Sequence, residues 1–268
     1  MYDRVALLIP ATSRNCKYEK FYDTDLYNYT FRTFFETYDP QYKYTFYIGF
    51  DNDDKFYNRK MIKASIINLI RKHNCDVKIK YYRGEKGNVV DIWNRLYKEA
   101  YNDNDYFVQV GSDITFLNKG WVASAIQTLL LHDNYGVVGL IDTGRRNMNP
   151  SDRLFTQTIV SKRHMDIFGF YYPSELKNWF CDDWITDIYR QMDMAYEIPF
   201  KIINLGGAPR YNIFGDRKLC NELIVNNIDK IENYRVMKSV ENNKQESIDT
   251  IKKMEELAYS FDISKGLI

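Results

Sequence analysis

Residues 5–141 alternate short runs rich in apolar residues with longer stretches whose apolar residues return every three or four positions. Few architectures accept that alternation. The runs 5–9 (VALLI), 44–50 (YTFYIGF), 76–82, 106–110 and 135–141 read as strands, the first of them buried. Between them, 24–38, 58–73, 87–101 and 121–131 read as helices. The first carries Leu26, Thr30, Phe34 and Phe35 near one face, the second Ile62, Ile66, Leu69 and Ile70, the third Val90, Trp93, Leu96 and Tyr97. Such β–α alternation favours an open α/β sheet with mostly parallel strands and right-handed crossovers. Beyond Met148 the rhythm changes. Asn149-Pro150-Ser151 signals a turn, 155–161 and 200–205 read as strands, 184–194 as a helix, and Gly206-Gly207-Ala208-Pro209 as a glycine-rich turn. From 216 the chain is polar and helical, with Ile248, Ile251, Met254 and Leu257 along one face. We therefore read 1–215 as one domain and 216–268 as a helical extension packed on it, whose apolar face is also a candidate homodimer contact.

A length of 268 residues suits one large domain with an appendage. With 37 basic and 36 acidic side chains the net charge is +1, so no bulk field attracts nucleic acid or an anionic membrane, and any anion site must be local. Aromatic residues make up 16% of the chain; because Asn, Lys and Ile are abundant too, codon bias explains the excess before a carbohydrate-stacking surface does. The cysteines Cys16, Cys75, Cys181 and Cys220 form no C-x-x-C pair and read as reduced thiols in a cytosolic setting. The run 5–10 is too short for a signal segment, and no stretch approaches the ~18 apolar residues of a membrane span. The expectation is a cytoplasmic protein, in which the sequon Asn28-Tyr29-Thr30 arises by chance.

In open α/β sheets, ligands bind beyond the carboxyl ends of the strands. After the first strand come Pro10, Thr12, Ser13 and Arg14; after the second, Asp51, Asp53 and Asp54; after the third, the stretch 83–88 with Lys86; after the fourth, Gly111, Ser112 and Asp113. Each loop alone is ordinary turn and cap chemistry. Their convergence on one edge suits a nucleoside diphosphate. A carboxylate after the second strand can accept hydrogen bonds from a base or ribose. One after the fourth can hold a hard divalent cation through oxygen. Lys86, Arg14 or the backbone of 84–87 can neutralise the diphosphate.

The pieces VALLIPATSR, FYIGFDNDD, GNVVDIWNRLYKEA and DYFVQVGSDITFLNKGW, followed by VSKRHMDIFGFYYPSELKNWFCDDWITDIYR, resemble GT-A fold glycosyltransferases over residues 1–215, nearest in style to the large family-2 group of nucleotide-sugar enzymes. The resemblance implies a Rossmann-like mixed α/β sheet flanked by helices, with a C-terminal helical extension. It implies transfer of a sugar from a nucleotide-diphospho-sugar, a UDP-sugar favoured, to a hydroxyl of a glycan or protein, with inversion. Asp51 and Asp53 would contact the nucleoside; Pro10, Thr12, Arg14, Lys86, Asn94, Ser112 and Arg210 would complete the donor pocket. Asp113 would be the last acid of the D-x-D motif that carries Mn²⁺ or Mg²⁺, and Asp182 or Asp183 the catalytic base. Trp179, Trp184 and Tyr172 would face the acceptor. The residues agree: partial burial and mutual repulsion can raise one carboxyl of an adjacent pair, though the same pair suits a helix N-cap.

Two departures stand out. Gly111 replaces the first acid of the metal motif, and no histidine follows the acidic pair. His73 and His132 sit at helix ends, and His164 reads as structural. The late basic residues Arg210, Arg217 and Lys218 read equally as a solvated surface or as groups closing over the diphosphate. A sugar nucleotidyltransferase would open with a Gly-rich basic loop, which 10–14 lacks. A non-catalytic glycan- or protein-binding module on a degenerate fold is favoured by Gly111. A two-metal phosphohydrolase needs more histidines and clustered carboxylates.

Overall fold

The structure, a computed structural model, describes residues 3–144, 153–205 and 215–264, the side chains of 254–264 excepted. The turn expected at 149–151, the glycine-rich turn at 206–209, Arg210, and the side chains of Met254 and Leu257 lie outside the described residues. The chain divides into two compact units, Met1–Val225 and Asn226–Ile268. The strands are β1 Arg4–Ala11, β2 Lys43–Asp51, β3 Asp76–Tyr82, β4 Tyr106–Gln109, β5 Ile114–Phe116, β6 Val137–Asp142, β7 Thr158–Ser161 and β8 Ala195–Asn204. The helices are α1 Arg32–Thr37, α2 Lys60–Lys72, α3 Val89–Ala100, α4 Trp121–Leu131, α5 Arg163–Phe168, α6 Cys181–Arg190 and α7 Arg217–Ser264. Among the described residues no helix is long and apolar enough to cross a membrane.

The eight strands among the described residues form one mixed sheet in the order β3-β2-β1-β4-β7-β6-β8-β5. β1 to β4 run parallel, with Ala11 opposite Phe50, Asp51 opposite Tyr82 and Leu8 opposite Gln109. Their four carboxyl ends therefore share one edge. β7 then runs antiparallel to β4, which departs from a purely parallel sheet.

Helices cover both faces of β1 and β2. Val5, Leu7 and Ile9 join Phe46, Ile48 and Phe50 in a core with Phe31, Phe34, Ile66 and Trp121. On the opposite face Trp93, Leu96 and Tyr97 of α3 are buried; the Trp93 indole donates to the Leu8 carbonyl at 3.2 Å, and Tyr97 meets Phe107 edge-on at 4.6 Å. Gly49 permits that approach, since a Cβ there would lie 2.4 Å from Ile92 Cγ2. Most large aromatic side chains are core residues; among those described, Trp179, Tyr22 and Tyr29 stand out as exposed. All four cysteines are unpaired, three of them buried.

Three elements differ from the sequence reading. The stretch expected as one helix over 24–38 begins with a wide, π-type turn, Leu26–Phe31, before α1. The Thr30 and Thr33 hydroxyls there accept the Ile114 and Phe116 N–H groups at 3.1 and 3.0 Å, so this segment covers the edge strand β5. β8 starts five residues before the expected strand. Pro199 cannot donate to the ladder, and the register against β6 slips there, from Leu140 opposite Ile198 to Ile141 opposite Lys201. α6 starts at Cys181 rather than at Trp184. The short β5 and α5 carry too few residues to show a period.

Candidate active site at the parallel strand ends

Asp54 stitches the loops after β1 and β2 together. It is 7% exposed. Its carboxylate accepts from the Ser13 N–H at 2.7 Å, the Ser13 hydroxyl at 2.8 Å and the Thr12 hydroxyl at 3.4 Å. It also accepts from the Phe56 and Tyr57 N–H groups at 3.1 and 2.9 Å, an Asx turn that opens the segment leading to α2. Thr12 in turn accepts from the Arg14 N–H at 3.2 Å. Thr12 and Arg14 thus sit on a loop anchored to the acidic cluster 51–54, while Pro10 is buried within β1 itself.

The loops after β2 and β3 are joined twice. Asn52 N–H donates to the Tyr82 carbonyl at 2.9 Å, and Lys86 pairs with Asp53. Hydrogen bonding from Lys86, then its charge, holds the exposed Asp53 carboxyl below its ordinary range. Asp51 ends β2, half-buried, opposite Tyr82. The loop after β3 reaches the segment before α6 as well: Glu85 pairs with Lys177 at 2.6 Å, and Val90 N–H donates to the Lys177 carbonyl at 3.2 Å. One side chain away from the candidate diphosphate loop is therefore the chain that leads into the acidic pair.

At the end of β4, Gly111 N–H donates to the Gln157 side chain at 2.8 Å and its carbonyl accepts from Thr30 at 3.0 Å. The Asp113 carbonyl accepts from Leu205 N–H at 3.3 Å. A Cβ at residue 111 would lie 3.0 Å from Asp113 Oδ1, so a side chain at 111, where the resemblance expects a first acid, would face Asp113. For a divalent cation this turn offers the half-buried Asp113 carboxylate beside the buried Ser112. Among the described residues no group of three His, Cys, Asp or Glu side chains forms a cage. One carboxylate, with substrate phosphates and water completing the shell, fits the oxygen preference of Mg²⁺ and Mn²⁺.

Asp182 and Asp183 lie in the first turn of α6, where the helix dipole favours anions. The N-cap is Phe180, held at φ 68°, and makes no side-chain cap bond; the expectation that the acids precede and cap the helix is corrected. Asp182 Oδ1 accepts from the Asp183 N–H at 3.2 Å. Asp183 Oδ1 accepts from Arg217 Nη2 at 2.5 Å. Arg217 lies over the Phe180 ring, 4.8 Å from its centroid, and reaches Asp187 at 3.7 Å.

Of the residues expected to face an acceptor, Trp179 is half exposed, whereas Tyr172 and Trp184 are fully buried. Trp184 packs against Phe168 and Phe170 at 5.3 and 5.8 Å, and Tyr172 against Trp93 at 5.5 Å, so neither presents a ring face to a sugar. Asn94, expected in the donor pocket, spends its amide on the backbone of Tyr171 and Tyr172 through bonds of 2.8 to 2.9 Å. His164 is structural: its ring nitrogens meet the Tyr189 hydroxyl at 2.8 Å and the Tyr171 carbonyl at 3.0 Å, and burial lowers its pKa to about 4. Sequence reasoning missed the stitching role of Asp54 and the Glu85–Lys177 link. The first carries a signal, an Asp two and three residues before the N–H groups it accepts; the second joins residues 92 apart and carries none.

No protein-family model and no curated protein matches the chain. Solved structures do. S. aureus TarS 1-349 in complex with UDP-GlcNAc superposes with TM-score 0.56 at 13% identity, over 83% of this chain and 65% of that one. The same protein in complex with UDP gives TM-score 0.54 at 13% identity, over 75% and 60%. The mannosyltransferase PcManGT from Pyrobaculum calidifontis, in complex with GDP-Man and Mn²⁺, gives 0.52 at 11% identity, over 76% and 57%. The chain thus spans 57–65% of the length of these structures. Its fold is of the GT-A type found in nucleotide-sugar glycosyltransferases.

Proposed function

We propose that the chain is a glycosyltransferase that moves a sugar from a nucleotide-diphospho-sugar, a UDP-sugar by preference, to a hydroxyl of a glycan or protein. The observation that carries this reading is the set of side-chain links that binds the loops after β1, β2 and β3 to one another and to the segment entering α6. Those links join the loops that carry Thr12, Arg14, Asp53 and Lys86, and tie them to Lys177, a few residues before the carboxylate pair. The GT-A-type fold, shared with structures that hold UDP, UDP-GlcNAc and GDP-Man, supports the same ligand class.

In this reading Asp51 and Asp53 accept hydrogen bonds from the nucleoside, while Thr12, Arg14, Lys86 and Ser112 line the donor. Asp183 removes the acceptor's proton as the hydroxyl oxygen attacks the anomeric carbon. The bond from that carbon to the diphosphate oxygen breaks on the opposite side, which inverts the centre. Lys86 and Arg14 offset the charge that develops on the departing diphosphate. A Mg²⁺ or Mn²⁺ ion, where one accompanies the donor, would be held by Asp113 and would supply further charge neutralisation. Trp179 is the exposed aromatic beside the acidic pair available for stacking on the acceptor. Homodimer formation through the C-terminal helix belongs to the same reading, since Val240 and Ile251 stand exposed on it.

Gly111 favours a second reading, a binding module that has lost its metal acid. A screen for hydrolysis of UDP-, GDP- and CDP-sugars with Mn²⁺ separates the two. Release of a nucleoside diphosphate from one donor class supports transfer. Binding without release from any donor supports the module.

A further inference from the structure

Asp183 is the residue on which the proposed transfer turns, and α7 reaches it. The first turn of α7 is fixed against the start of α6: a Cβ on Gly215 would lie 2.4 Å from Trp179 Cβ and 2.6 Å from Phe180 Cδ2. Asp216 Oδ1 accepts from the Lys218 N–H at 2.9 Å and opens the helix. That places Arg217 over the Phe180 ring, a ring held in turn by a left-handed backbone. From there the guanidinium takes one oxygen of Asp183, which is 16% exposed, and approaches Asp187 one helical turn further on.

We propose that Arg217 is the positioning residue of the base, fixing the Asp183 carboxylate with Oδ1 turned to α7 and Oδ2 presented to the acceptor hydroxyl. This rests on the transferase reading above and adds a positioning residue to it. A guanidinium in contact with a carboxylate favours the anion, the form that accepts a proton. The groups facing Asp183 are Asp182 and Asp187 on its own helix, with Cys181 at its start, and Arg217 and Cys220 on α7. Arg190 holds Asp187 at 2.9 Å from the far side. Burial, and then the Asp183 charge, raise the Asp187 carboxyl, while Arg190 and Arg217 oppose them. Without Arg217, the Asp183 carboxylate loses the guanidinium that fixes Oδ1 and stands beside Asp182 and Asp187 on its own helix.

The test compares the parent with Arg217→Gln and Arg217→Lys. The acidic limb of the kcat–pH profile is expected to move up by about one pH unit or more in Arg217→Gln and to stay near the parental position in Arg217→Lys. Donor KM is expected to change little in either. Loss of kcat in Arg217→Gln with an unmoved limb would mean that the residue is merely structural, and the proposal falls. Infrared titration of the Asp183 carboxyl, assigned by subtracting Asp183→Asn, needs no turnover. If the parent transfers no sugar, the transferase reading fails on its own, and an Asp183 titration unmoved by Arg217→Gln overturns the inference separately. Far-ultraviolet circular dichroism checks that both variants fold.

Discussion

Replacing Asp54 should unfasten the loops after β1 and β2, because one buried carboxylate gathers five hydrogen bonds from them. In Asp54→Ala the Ser13 and Thr12 donors can turn to water. The Phe56 and Tyr57 N–H groups cannot, since both residues are at most 5% exposed. Two buried N–H groups without acceptors, at about 1–3 kcal/mol each, give a loss of about 2–6 kcal/mol. That is a large share of the ~5–15 kcal/mol that holds a domain folded. Asp54→Asn keeps one acceptor oxygen and should cost about 1–2 kcal/mol. Urea unfolding followed by tryptophan fluorescence reads both values. The asparagine variant, still folded, should also bind UDP about tenfold more weakly, because the loop carrying Thr12 and Arg14 loses its anchor; a tenfold change is about 1.4 kcal/mol. An Asp54→Ala protein that unfolds within about 0.5 kcal/mol of the parent would refute the reasoning.

Asp183→Asn should lower turnover by about 10²–10⁴ while UDP affinity stays within a factor of about two, read by steady-state assay and calorimetry. Gly111→Asp should place a second carboxylate beside Asp113 and tighten Mn²⁺ binding in the presence of UDP by at least about tenfold, read by isothermal titration; the 3.0 Å approach requires Asp113 to shift slightly. His164 gives a pH effect. Its folded pKa of about 4 lies below the unfolded value, so the unfolded chain takes up the proton first. The stability it contributes is complete above about pH 6.5 and is lost at about 1.4 kcal/mol per unit as pH falls towards 4. Urea midpoints across that window should fall less steeply in His164→Gln.

Much of the fold was legible because strands buried on both faces are continuous apolar runs, as in β1 and β2, while the edge strand β3 alternates Val77, Ile79 and Tyr81 with Asp76, Lys78 and Lys80. The expected strand at 76–82 and helix at 121–131 coincide with β3 and α4. The extended start of β8 was hidden by Pro199, and β5 is too short to show alternation. Of the candidate site, the shared edge was legible because it follows topology: residues after parallel neighbouring strands lie at one edge. What the sequence could not show is how each polar group is spent. Asn94, Tyr172 and Trp184 carry the right chemistry for a sugar site, yet backbone bonding or burial commits them to the core. Asp183 meets Arg217 through tertiary contact, between residues 34 apart with no periodic signal between them.

Nitrogen-15 backbone spectra of the intact chain, titrated with UDP and with GDP, test the shared strand-end site most directly. The amides of Ser13, Asn52, Lys86 and Asp113 should shift together and saturate with a single dissociation constant. Shifts confined to one of these loops, or gathered on α7 with the four amides unmoved, would contradict it.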